Sequence, residues 1–367
     1  MSRRYDIDWL RVIAIGLLLI YHVAIGFQPW GLMIGFITND QSWVALWKPM
    51  LMLNVWRIPF LFFVSGMGLY FAMQHRNWKQ LLQERATRIL LPYVFGMFCI
   101  FPISLFILQY YYKWGFSYSY NPGHLWFLGN IFAYVLILSP VFFYFKNNEN
   151  GKVVQFIKRM FSTPLGLLPV VGAFVLEVLI LQPNPYELYA MTWHGFALGL
   201  LAFFFGFFFA LSGDGFSQMI YRWRWFFLVT AVVLYILRIT VFELRVPGYL
   251  LVTESDCWIF SVFAFGYKYL NRGGKTLAYL SQAAYPVYIL HMIFLYLGSL
   301  LIFPLSLPVQ VKFMLVLLFT LTGCFLTYEF VIRRINIIRP LFGVKMKDAP
   351  VQKKESASVT VPSGLPT

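Results

Sequence analysis

The sequence predicts an all-α integral membrane protein with about ten transmembrane helices and both termini in the cytoplasm. Three observations carry the prediction. Hydrophobic residues make up 60% of the 367 and charged residues only 12%, with a mean hydropathy of +0.70, too little polar material to coat a soluble globule. Apolar runs of about 20 residues, each able to cross about 30 Å of hydrocarbon, recur along the chain. Loops rich in lysine and arginine alternate with loops nearly free of them.

The spans are expected at 9–28, 50–73, 89–112, 125–145, 164–182, 192–212, 224–242, 249–270, 276–303 and 311–332. The first run has no small-residue cleavage site ahead of a soluble domain, so it reads as a retained span and not a signal peptide. One set of loops holds Arg3, Arg4, Arg76, Lys79, Lys146, Lys152, Lys158, Arg222, Arg272 and Arg333 among others; the other set holds only Lys48, Lys113, Arg245 and Lys312. That asymmetry places both ends inside, and it accounts for the net charge of +15 without any nucleic-acid partner. Residues 1–344 are expected as one membrane domain. From Lys345 the polar stretch "KMKDAPVQKKESASVTVPSGLPT" cannot bury a core and reads as a disordered cytoplasmic tail, 345–367. Cys99, Cys257 and Cys324 lack paired spacing and read as small core residues. No metal-ligand spacing, nucleotide-binding glycine loop or serine nucleophile motif is present, so no metal is expected.

Ionisable residues inside spans are costly and mark function. In "LRVIAIGLLLIYH", Arg11 and His22 are eleven positions apart. At about 3.6 residues per turn both leave one helical face, about 16 Å apart along the axis. His291 in the ninth run comes to a depth similar to that of His22, so the two can share a cavity. Asp8, three residues before Arg11, is placed to pair with it. In "HRNWKQLLQERATRILLPYVFG", Arg85 and Arg88 stand three apart, on one helical face; two guanidiniums so placed can grip phosphate oxygens, or simply serve topology and lipid headgroups. Arg57 lies at a depth near His22, either as a partner of Glu177 or Glu329 or as a receiver for a substrate anion. Glu177 and His194 are isolated in apolar runs and read as structural, and Arg238 and Glu329 complete the set. The loop "KWGFSYSYNPGHLW" puts Tyr118, Tyr120, His124 and Trp126 at the outer interface, as an ordinary aromatic belt or as a sugar platform. "ESDCW", Glu254 to Trp258, near the outer end of a span, could also bind carbohydrate.

The pattern of Arg11, ten intervening residues and His22 resembles the signature of the membrane acyltransferase 3 family. Four further segments fit it in order: "FFVSGMGLYF", "RATRILLP", "GHLWFLGNIFAYV" and "YPVYILH". The opening "YDIDWLRVIAIGLLLIYH" and "WRIPFLFFVSG" are similar to the branch containing glucan biosynthesis protein C, a succinyltransferase of periplasmic glucans. The resemblance covers about residues 4–340. It implies an enzyme of a bacterial inner membrane that uses acyl-coenzyme A, succinyl or acetyl, from the cytoplasm and acylates a hydroxyl of a glycan or other acceptor at the far side. Carried over by position, Arg11 and His22 are the motif pair, with His291 a secondary polar element, and Arg85 and Arg88 the coenzyme-binding pair. Chemically, a neutral imidazole at His22 can take the acceptor proton, and an oxyanion donor could come from Ser65, Tyr288, Asn54 or His291. Arg57, His124 and Trp126 are the candidate substrate contacts. Two other readings stand beside this one: a proton-coupled transporter or flippase with His22, Arg57 and His291 along its path, and an assembly subunit without chemistry.

Overall fold

The protein is described here by a computed structural model covering residues 4–347; the expected tail from Asp348 onward lies outside the described residues. Among the described residues the elements are helices only. In chain order they are α1 (Tyr5–Ile25), α2 (Trp47–Met73), α3 (Trp78–Tyr111), α4 (Trp126–Asn147), a short α5 (Lys152–Phe161), α6 (Leu168–Leu181), α7 (Trp193–Ser212), a short α8 (Asp214–Arg222), α9 (Arg224–Thr240), α10 (Gly248–Tyr269), α11 (Lys275–Ile302) and α12 (Val309–Ile332).

Each apolar run expected from the sequence is a helix. Eight are long and apolar enough to cross a membrane: α1, α2, α3, α4, α6 taken with the turn Pro164–Leu167 ahead of it, α7, α11 and α12. A ninth arises if α9 is counted together with α8, from which it is bent by 59°. The remaining run, α10, carries Glu254, Asp256 and Lys268 along its 22 residues.

Helix α2 forms the centre, packed against α1, α7 and α10. Its contact with α7 is made backbone to backbone. A Cβ on Gly66 would overlap the carbonyl of Phe203, and one on Gly206 would overlap that of Phe63, so small residues set the separation, as is usual where no water drives helices together. The phenylalanines of "FFFGFFFA" fill the space around this seam. Phe207 stacks on Phe142 with ring centroids 3.8 Å apart, and Phe209 on Phe63 at 5.4 Å. They are packing residues, as their composition suggests.

Helix α3 is not a regular α-helix. It contains two π turns, Ala86–Leu90 and Gly96–Ile100, and each lies just ahead of a proline, Pro92 and Pro102. A proline has no N–H for the carbonyl four residues back and its ring crowds that carbonyl, so the preceding turn widens. The carbonyl of Phe98, released in this way, accepts the Tyr118 hydroxyl at 3.0 Å. Cys257 and Cys324 are buried as expected, but Cys99 is exposed on α3, outside the core.

Candidate active site

Three histidines meet where the second half of α1, the middle of α11 and the start of α4 come together. Nδ1 of His22 is 2.8 Å from Nε2 of His291, and the rings stack with a centroid distance of 5.1 Å and an interplanar angle of 13°. Nδ1 of His291 lies 2.6 Å from the Tyr288 carbonyl. His124 stands edge-on to His291 at 4.8 Å, its Nε2 3.1 Å from the Ile289 carbonyl. The short turn Gly123–Leu125 ahead of α4 carries His124 inward. The loop therefore splits: His124 belongs to the interior, while Tyr118 and Tyr120 are 60% and 61% exposed.

The hydrogen bonds fix which nitrogens carry protons. A carbonyl oxygen only accepts, so Nδ1 of His291 is N–H and, in the neutral ring, its Nε2 is bare. The bond between the two imidazoles then requires that Nδ1 of His22 donate. Nε2 of His22 is left bare, with no hydrogen bond among the described residues. His291 is fully buried, whereas His22 is half-buried, its ring 5.6 Å from Phe36 in the loop that folds back after α1. That loop reverses at Gly35, whose φ of +83° suits glycine, and the Gly35 carbonyl accepts the Tyr296 hydroxyl.

Arg57 of α2 joins this group. Its guanidinium sits 4.1 Å over the Tyr21 ring and within electrostatic reach of His22, His291, Tyr189 and Tyr288. It is 2% exposed. Among the described residues no carboxylate pairs with it: Glu177 bonds His194 at 2.8 Å and Glu329 bonds Arg333 at 2.8 Å. Its buried Nε and Nη1 have no hydrogen-bond partner, a costly state for a cation in the interior unless a ligand supplies the anion.

Nearer the start of α1 lies a second cluster. Arg11, Arg85 and Arg88 surround Tyr285 within electrostatic reach of one another. Asp8 holds Arg11 at 3.5 Å, as its spacing suggests. Gly68, in the "FFVSGMGLYF" segment, leaves room for the Arg11 side chain, since a Cβ there would stand 3.1 Å from Nη2. The π turn winds the helix more loosely between Arg85 and Arg88 than a regular α-helix would, and Glu84 gathers them: its oxygens lie 3.0 Å from Arg88, 3.9 Å from Arg85 and 3.3 Å from Arg76. The buried Nε of Arg85 has no hydrogen-bond partner. Sequence reasoning missed Glu84 and Tyr285. Arg11, expected about 16 Å along the helix from His22, stands with these arginines.

Of the possible oxyanion donors, Ser65 bonds its own helix at Leu61 (2.7 Å), Tyr288 bonds the His124 carbonyl, and both ring nitrogens of His291 are engaged. Asn54 is hydrogen-bonded to the Tyr21 hydroxyl, and Arg57, whose Nε and Nη1 have no hydrogen-bond partner, joins the candidates. Trp126 lines a groove of about 360 Å³ between α3 and α4, beside Tyr93 and Asn130. Glu177 and His194 are not isolated but paired, and His194 also bonds the Tyr186 carbonyl at 2.9 Å. Tyr186 and Tyr189, in the loop before α7, are buried, which pushes their phenols well above the usual range. "ESDCW" is no carbohydrate surface: Glu254 and Asp256 are buried, and Glu254 lies 3.3 Å from Arg238.

No curated protein and no solved structure matches the chain. A family model described as an acyltransferase domain matches residues 4–329, from the residue before α1 into the last turns of α12, and so takes in both clusters. The chain belongs to this acyltransferase family, a membrane enzyme that transfers acyl groups other than aminoacyl groups.

Proposed function

We propose that the enzyme takes an acyl group from acyl-coenzyme A in the cytoplasm and passes it to a hydroxyl of a glycan or other acceptor at the far side of a bacterial inner membrane. In this reading all ten apolar helices cross, and the termini and basic loops face the cytoplasm. The observation that carries the proposal is the hydrogen-bonded sequence Tyr288 carbonyl, His291, His22, which leaves Nε2 of His22 bare to serve as the base.

Nε2 takes the proton of the acceptor hydroxyl as its oxygen attacks the thioester carbon. His22 becomes an imidazolium whose Nδ1–H is held by Nε2 of His291. When the carbon–sulfur bond breaks, Nε2 returns the proton to the departing thiolate, and the products are an ester and free coenzyme A. The Arg11, Arg85 and Arg88 guanidiniums offer forked donors to the coenzyme phosphates. Since Arg11 and His22 lie about 16 Å apart on α1, a pantetheine arm, about three to four helical turns long, reaches from one cluster to the other.

Arg57 meets the distal carboxylate of a succinyl group, which supplies the anion its buried guanidinium lacks. With an acetyl group the same nitrogens are free to hold the oxyanion. His124 and Trp126, on either side of the start of α4, serve the acceptor. In purified, inserted protein His22→Ala should lower acyl transfer by about two to four orders of magnitude; near-wild-type activity in folded His22→Ala protein would remove the base and with it this mechanism.

A further inference from the structure

Beyond the two clusters, the end of the bundle where α1 begins carries a groove of about 420 Å³ between the end of α2, the start of α3 and the end of α4. Its walls include His75, Arg76, Trp78, Phe143 and Lys146. Trp78 is 37% exposed, and Phe143 packs edge-on to its indole at 5.9 Å, which leaves an aromatic surface on which a flat ring can stack. Lys146 is fixed in place by the carbonyls of Met73 and Arg76, at 2.6 and 3.3 Å. Those are dipoles, not carboxylates, so its charge still acts on the groove. The buried amide nitrogen of Gln74, another wall residue, has no hydrogen-bond partner.

The groove is tied to the arginine cluster by one side chain. Glu84 receives Arg76 on one oxygen at 3.3 Å and Arg88 on the other at 3.0 Å, so the groove cation and the cluster cation stand on opposite sides of a single carboxylate. We infer that the groove takes the adenosine 3′-phosphate end of the coenzyme A donor, with adenine on Trp78 and the 3′-phosphate facing Arg76 and Lys146. The chemistry of the nucleotide matches this arrangement: its 3′-phosphate and its 5′-diphosphate leave the same ribose, and two neighbouring cationic places are what such a pair requires. The inference rests on the acyl-coenzyme A reading above and assigns the donor's other end.

The test compares coenzyme A, dephospho-coenzyme A, which lacks the 3′-phosphate, and 4′-phosphopantetheine, which lacks the nucleoside as well. Binding to the full-length protein is measured in nanodiscs of pure phosphatidylcholine. Wild type should prefer coenzyme A to dephospho-coenzyme A, and Arg76→Gln should erase that preference. Trp78→Ala should weaken coenzyme A by about five- to hundredfold, the range for loss of one stacked base, and leave 4′-phosphopantetheine unchanged. Trp78 is a surface residue, so this variant carries the test even where Arg76→Gln fails to fold. If wild type binds none of the three compounds, the acyl-coenzyme A reading itself fails. If wild type binds coenzyme A and both folded variants bind all three compounds as it does, the donor reading stands and the groove assignment is wrong. A loss seen only when phosphatidylglycerol is added to the nanodiscs would make the groove a lipid-headgroup site and overturn the inference.

Discussion

His22 and His291, 269 residues apart in the chain, share one hydrogen bond of 2.8 Å, and its direction is set by a carbonyl that neither side chain carries. Because the Tyr288 oxygen can only accept, it determines the tautomer of His291, and through His291 that of His22. In the proposed mechanism, the imidazole that meets substrate is thus oriented from behind by a buried partner.

It follows that His291→Ala should slow turnover without removing the base. Freed of its acceptor, the His22 ring can rotate and exchange tautomers, and misplacement of this kind costs about a hundredfold. Steady-state kinetics should show the loss in kcat with KM for the donor unchanged, and His291→Gln, whose amide oxygen can accept from Nδ1, should recover part of it. An equal loss in both variants would mean that acceptance from Nδ1 is not what matters.

On the proposed function, Arg57 is the residue that would separate the two acyl groups. Arg57→Gln should reduce transfer from succinyl-coenzyme A by tenfold or more relative to acetyl-coenzyme A, given about 1.5–3 kcal/mol for a hydrogen bond to a charged group. Competition between the two donors in one reaction mixture reads the ratio directly. A uniform loss would assign the guanidinium to the oxyanion instead.

The arginine cluster is tested by charge-conserving change. Arg85→Lys and Arg88→Lys keep the charge but lose the forked geometry, so KM for the donor should rise by about tenfold while KM for the acceptor stays within error. Unaltered donor KM in both variants would leave these residues only their role in topology.

The Glu177–His194 pair is 4% exposed on both side chains and stands outside the chemistry. His194→Phe should therefore act on stability. Leaving a buried carboxyl without its partner costs about 3–5 kcal/mol, which should appear as a lower Tm in detergent, with activity per folded molecule unchanged.

The apolar runs were legible because a membrane span must satisfy its own backbone, so length and hydropathy nearly determine it. The meeting of His22 with His291 was legible as well, since two rises of about 1.5 Å per residue from one membrane face give one depth. What escaped were contacts that depend on how helices face each other. Glu177 and His194 lie on consecutive antiparallel helices, and nothing in either apolar run shows that they point at one another. His124 was placed at the outer interface, as belt or sugar platform, because its neighbours Tyr118 and Tyr120 are there, and only the inward turn at Gly123 separates them. The π turns of α3 had a signal, Pro92 and Pro102, but a proline reports that a turn is disturbed, not how side chains three residues apart are swung.

The glycine seam between α2 and α7 bears on how cargo can move. A carrier that opens first to one side and then to the other needs at least one bundle of helices free to rock against the rest, and rocking requires side chains that slide past each other. Here Gly66 and Gly206 press against opposing carbonyls with no side chain between, so α2 and α7 act as one welded spine. Arg57 lies on α2, within that spine. On the function proposed above, donor and acceptor then travel to a stationary meeting point from opposite faces, and the acyl group alone crosses.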